Sequence, residues 1–179
     1  MLKISKSMKR ITIVFAALWL ICGSANAQTI NWMTLEEAQA AAQKEPRKIL
    51  IDVYTNWCGW CKRMDKTTFQ NAVIAEYVNR HYYAVKLNAE SKDSIVFKGD
   101  TFKFVKKGRR GYHEIAAAML QGKMSYPSMV YLNENLEMIQ PVPGYMDAAR
   151  FEKIIAFFGE DHYKKGSFED FEKEFKSKL

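Results

Sequence analysis

The feature that most constrains this chain is Cys58-Gly59-Trp60-Cys61, a Cys-x-x-Cys set between two segments of different period. Before it, Lys48-Ile-Leu-Ile-Asp-Val-Tyr54 is a short apolar run flanked by breakers, the pattern of a buried strand. After it, Met64, Phe69, Val73, Tyr77 and Val78 fall roughly on one helical face, and a helix is expected through about Asn79. The junction puts Cys58 at a helix N-terminus, where unpaired N–H groups and the macrodipole stabilise a thiolate. Cysteines in such motifs have pKa values of roughly 3.5–7.5. Cys58 is therefore the expected attacking thiolate, and Cys61, one turn on, the resolving thiol that releases the mixed disulfide.

Two bland readings compete with this one. Structural zinc needs four ligands, whereas one cysteine pair is accompanied here only by the scattered His81, His113 and His162, so no metal is expected. A purely structural disulfide would stabilise little, because so short a loop removes little chain entropy.

The first residues are not expected to belong to the fold. Lys3, Lys6, Lys9 and Arg10 make a basic start, Ile11 to Cys22 is apolar apart from Thr12, and Ala25-Asn-Ala27 is a small-x-small cleavage pattern. Residues 1–27 are expected to be a secretory signal peptide cleaved before Gln28, with Met1 or Met8 as the start. The apolar run is short of the ~20 residues of a comfortable span, so no stable membrane insertion is expected after cleavage. The bulky Ile21 before Cys22 makes that cysteine a poor lipidation site. Cleavage leaves 23 basic against 20 acidic residues, a net charge of +3. The strongest basic cluster, Lys106-Lys-Gly-Arg-Arg110, is short and reads as a solvated loop, so nucleic acid is not an expected partner. Export implies an oxidising compartment, in which the remaining pair of cysteines can cycle or stay closed.

Along residues 28–179, Thr34 and Glu37 form a capping box for a helix reaching about Lys44, which Pro46 ends. Tyr82 to Leu87 is a second apolar strand. Ile95 to Lys98 and Thr101 to Val105, split by Gly99-Asp100, indicate a β-hairpin inside an insert over about 91–112. His113 to Leu120 is helical. Met129 to Leu132 and Leu136 to Gln140 are strands around an Asn133–Asn135 turn, and a helix runs from Met146 or Asp147 to near Phe158. Ser167 and Asp170 form a second capping box, opening a tail helix over about 167–178 with Phe168, Phe171 and Phe175 on one face. Strand–helix–strand alternation gives parallel pairing, and the late strand pair adds an antiparallel edge, so the expected architecture is a three-layer α/β domain with a mixed sheet.

Asp52 lies inside the apolar strand, six positions before Cys58. A carboxylate there is costly unless used or paired. Burial should raise its pKa and make it a proton acceptor near neutrality, with Lys86 on the next strand within reach.

Trp57-Cys-Gly-Trp-Cys-Lys62 resembles the thioredoxin active-site run, and the resemblance covers roughly Ile49 to Phe158. Asp52 matches that family's buried acid, Lys86 the lysine near it, Pro127 its cis-proline and Gly144 the glycine after its last strand. Met64-Asp-Lys-Thr-Thr-Phe69 and Tyr77-Val-Asn79 look like the exported bacterial branch. The resemblance implies a thioredoxin fold, a cis Tyr126–Pro127 bond beside the cysteines, and a Tyr126 backbone that pairs with the substrate chain. Trp60 departs from the proline of cytosolic thioredoxins, and Tyr126 is bulkier than the usual residue at its position. The insert has no counterpart in a minimal thioredoxin.

The expected function is thiol–disulfide exchange on exported cysteine-containing proteins, in the periplasm or otherwise outside the cytoplasm. Cys58, Cys61, Asp52 and Lys86 form the catalytic set, and Trp57, Gly59, Trp60, Tyr126 and Pro127 form the substrate rim. Reduction is favoured over oxidation, no cofactor is needed, and a membrane dithiol supplies electrons. The alternative is a non-redox binding or chaperone module using the Trp57, Trp60 and Tyr126 rim.

Overall fold

Lys48–Tyr54 forms the central strand β2 of the computed structural model, which describes residues 29–179. The expected signal peptide lies outside the described residues. Strand β1 (Trp32–Met33) precedes helix α1 (Leu35–Lys44), and both bonds of the Thr34–Glu37 capping box are made, at 3.2 and 2.8 Å. Helices α2 (Gly59–Thr67) and α3 (Ala72–His81) lead to β3 (Tyr82–Asn88). The insert carries β4 (Ile95–Phe97), β5 (Asp100–Phe102), β6 (Phe104–Lys107) and β7 (Arg110–His113). Helix α4 (Glu114–Met119), strands β8 (Ser128–Leu132) and β9 (Met138–Pro143), helix α5 (Ala148–Gly159), a 3₁₀ turn (His162–Lys164) and α6 (Phe168–Glu174) complete the chain.

The main sheet has the order β1-β3-β2-β8-β9; β1, β3 and β2 are parallel, and β8 and β9 pair antiparallel. Alternation along β2 divides the core. Ile49, Ile51 and Val53 pack with α1 and α4 on one face. Leu50 packs on the other with Met64 of α2, Ile74 and Val78 of α3 and Phe151 of α5. This is the expected three-layer fold with its mixed sheet. The same alternation puts Asp52 on the face of Leu50, the one covered by the cysteine-bearing helix.

Five local expectations are corrected. The helix after the cysteines is two helices. The Thr68 hydroxyl donates to the Met146 carbonyl at 2.7 Å and the buried Phe69 turns inward, so the chain restarts at Asn71. Ile74 and Ala75, rather than Val73, are then buried on α3. The Asn71 carboxamide caps the new helix, accepting from the Val73 and Ile74 N–H groups at 2.9 and 3.3 Å. Asn71→Ala is expected to cost about 1 kcal/mol; urea unfolding with an unchanged midpoint would contradict this.

The insert holds two hairpins where one was expected. Lys98 (φ 54°) and Gly99 (φ 88°) form the first turn, because both central positions of such a two-residue turn need positive φ. Val105 belongs to the second hairpin, β6–β7. The last strand begins at Met138, two residues late, because the Asn133 side chain accepts from the Asn135 and Glu137 N–H groups and prolongs the turn. It then runs through Pro141 and Pro143, which an edge strand tolerates. The Ser167 box is half made. Ser167 accepts from the Asp170 N–H, but the Asp170 carboxylate takes the Ser167 hydroxyl. Helix α6 stops at Glu174, and the Ser177 hydroxyl and Lys178 N–H instead donate to the buried Glu152 at 2.5 and 2.7 Å. Phe168 and Phe171 pack on Phe157 of α5.

Candidate active site

Strand β2 delivers the chain to Cys58, which caps α2, and its Sγ accepts from the Cys61 N–H at 3.0 Å. The first helical turn brings the two residues to a Cα separation of 5.3 Å, and they are joined as a disulfide. Both cysteines are buried in this closed state. Gly59 is exposed beside them, with open space above its Cα.

Beneath α2, β2 and β3 are in register so that Asp52 lies opposite Lys86. Lys86 Nζ donates to Asp52 Oδ2 at 2.6 Å and also to Asp65 Oδ1. Sequence reasoning missed Asp65. The available signal was its spacing, one turn beyond Cys61 on the same helical face. The rings of Trp32, Phe69 and Tyr54 wall the ammonium at 4.8, 4.9 and 5.3 Å from their centroids. Asp52 is 1% exposed and its Oδ1 has no hydrogen-bond partner among the described residues. Burial holds the Asp52 carboxyl above the ordinary carboxylate range; Lys86 pulls it down without cancelling that effect, and Asp65 adds to it. Burial alone would lower Lys86, but Asp52 and Asp65 outweigh it and hold the ammonium above its ordinary value. The asymmetry follows from geometry: Asp52 has one cation and almost no solvent, whereas Lys86 has two carboxylates and partial solvent access.

Trp57 and Trp60 are 59% and 55% exposed and flank the disulfide. Trp57 donates its indole N–H to Glu90 at 3.0 Å and sets its ring edge-on to Tyr126 at 5.9 Å. The Tyr126–Pro127 bond is cis. The register of Val53 with Ser128 holds this loop at the end of β2 from which the cysteine loop departs. On the other flank Trp60 leans on Tyr145 at 5.2 Å, with the Arg63 guanidinium 5.4 Å from one ring and 5.6 Å from the other. Tyr145, also missed from sequence, follows Gly144, whose φ of +101° turns the chain and whose N–H donates to the Pro127 carbonyl at 2.8 Å. The structure thus brings Trp57, Gly59, Trp60, Tyr126 and Pro127 to the cysteine end of the sheet and keeps Asp52 and Lys86 beneath it.

A helix-capping cysteine closed onto its i+3 neighbour, above a buried carboxylate, defines a thiol–disulfide oxidoreductase. Residues 35–159 match the thioredoxin-like domain family, and the chain belongs to it. Among solved structures, the DsbH oxidoreductase superposes with a TM-score of 0.55 at 15% identity, covering 75% of this chain and 87% of that one. A thioredoxin from Thermus thermophilus superposes with a TM-score of 0.55 at 14% identity over 83% of this chain and 99% of that one. A putative disulphide-isomerase from Bacteroides thetaiotaomicron gives 0.51 at 25% identity over 74% and 95%. Among curated proteins, human spermatogenesis-associated protein 20 is 30% identical over 60 residues, which is 34% of this chain and 8% of that protein. The chain thus matches only a small part of that relative's length.

Proposed function

We propose that this protein exchanges dithiols and disulfides with exported, cysteine-containing proteins outside the cytoplasm, and that it works as a reductant. The observation that carries the reading is the Cys58–Cys61 disulfide at the start of α2, over the Asp52–Lys86 pair. In the reduced protein, the Cys58 thiolate attacks a client disulfide, forms a mixed disulfide and expels one client thiolate. Asp52 then takes the proton of Cys61, and the Cys61 thiolate attacks Cys58 Sγ. The second client thiolate leaves, the Cys58–Cys61 disulfide closes, and two electrons have passed to the client. Trp57, Trp60 and Tyr126 offer an apolar rim to the client, and the Tyr126 backbone, held by cis Pro127, pairs with it.

The basic, apolar and small-residue segments of residues 1–27 support the location. A reductase there must be re-reduced, which calls for a membrane dithiol donor. The direction rests on the intervening Gly59-Trp60 pair. It adds no cation between the cysteines, so it lends the reduced form no extra stabilisation. Equilibration in dithiothreitol or glutathione buffers, read by alkylation shift, tests this. A potential near about −270 mV is expected, and one near about −120 to −180 mV would reverse the direction to oxidation or isomerisation.

A further inference from the structure

The β6–β7 hairpin, expected from sequence to be a solvated basic loop, stands against the cysteine rim. Together with Trp57 it borders an open groove of about 610 Å³, walled by Glu90, Lys92, Lys106, Arg109 and Arg110. The hairpin is anchored rather than dangling. The His113 N–H at its end donates to the Ala89 carbonyl at 2.7 Å, and the buried His113 ring bonds the Asp93 carbonyl at 2.9 Å. The Phe104 ring lies across Gly111, where a Cβ would come within 2.2 Å of it.

Four cations therefore face one carboxylate, and Glu90 is already held by the Trp57 indole N–H. None of the four forms a salt bridge among the described residues. The Arg110 guanidinium lies 5.8 Å from the Trp57 ring, which also meets Tyr126 edge-on. Trp57 is thus shared between the groove and the cysteine rim. A chain whose cysteine reaches Cys58 can lay its flanking residues along the hairpin, where like charges packed this closely favour an anionic occupant.

We propose that the β6–β7 hairpin is a docking groove for an acidic segment flanking the client cysteine, a proposal that rests on the oxidoreductase reading above. The test uses disulfide-linked peptides that differ only in acidic, neutral or basic residues beside the cysteine. Exchange rates are measured with the full mature chain at low and high salt. Acidic flanks should raise kcat/KM roughly tenfold over basic ones at low salt, and the gap should close as salt screens it. The double variant R109E/R110E should erase or invert that preference while leaving exchange with uncharged 2-hydroxyethyl disulfide unchanged, which also reports an intact fold. Equal rates for all flanks, or a preference that survives the charge reversal, would overturn the groove assignment alone. Loss of exchange with every substrate in the unaltered protein would instead sink the oxidoreductase reading and this inference with it. If charge reversal spares peptide exchange but abolishes sedimentation with phosphatidylserine vesicles, the groove takes lipid headgroups and the proposal fails.

Discussion

Cys58→Ser should reduce turnover of a protein disulfide to the uncatalysed rate, whereas Cys61→Ser should keep the first step and accumulate a mixed disulfide. The asymmetry comes from position. Cys58 is the cap of α2, and its sulfur already accepts the Cys61 N–H at 3.0 Å. The first-turn N–H groups and the positive end of the helix dipole also favour negative charge there. Cys61 lies one turn inside, 2% exposed, and its own N–H is the donor to Cys58. Thiolate fraction governs attack, and the thiol of lower pKa is also the better leaving group when Cys61 resolves the complex. Insulin-reduction rates and mass spectrometry of alkylated complexes would read both variants. Turnover retained in Cys58→Ser would refute the assignment. Client binding and phenotype retained when both cysteines are replaced would favour the non-redox binding module.

What was legible in the sequence was local or periodic. Strand β2 was bounded correctly because its apolar run ends at breakers, and α1 because Thr34 and Glu37 satisfy its first N–H groups within three residues. The placement of Asp52 against Lys86 followed from two runs that pair in register. The features missed depend on contacts distant in sequence. Thr68 leaves the helix for the Met146 carbonyl, 78 residues away, which nothing around Thr68 announces. Asp65 looks like any solvated helix charge until Lys86 arrives from 21 residues further on. The basic hairpin looked like a loop in water because only the closure of the insert, from His113 back to Ala89, carries it to Trp57.

Asp52→Asn should slow exchange and, at neutral pH, stabilise the fold. As a proton acceptor for Cys61, Asp52 is expected to be worth roughly 10²-fold in rate, within the usual range for a positioned acid–base group. The stability effect has the opposite sign for a physical reason. Burial raises the folded-state pKa of Asp52, so between the ordinary carboxylate pKa and that raised value the native protein binds the extra proton and the unfolded chain does not. Stability contributed by this group therefore falls as pH rises through that window, and the full penalty stands above it. Each tenfold preference for the protonated form corresponds to about 1.4 kcal/mol. The amide cannot ionise, so the variant escapes the penalty at neutral pH and loses its advantage below the ordinary carboxylate pKa, where both proteins are neutral at this site. Lys86 keeps Asp65 as a partner in the variant, which limits the cost on the cation's side. Thermal melts and exchange rates across the acidic-to-neutral range would test both halves. A variant that is slower and also less stable at neutral pH would mean that Asp52 serves the fold as a net favourable ion pair. A variant that is more stable and equally fast would remove Asp52 from the chemistry.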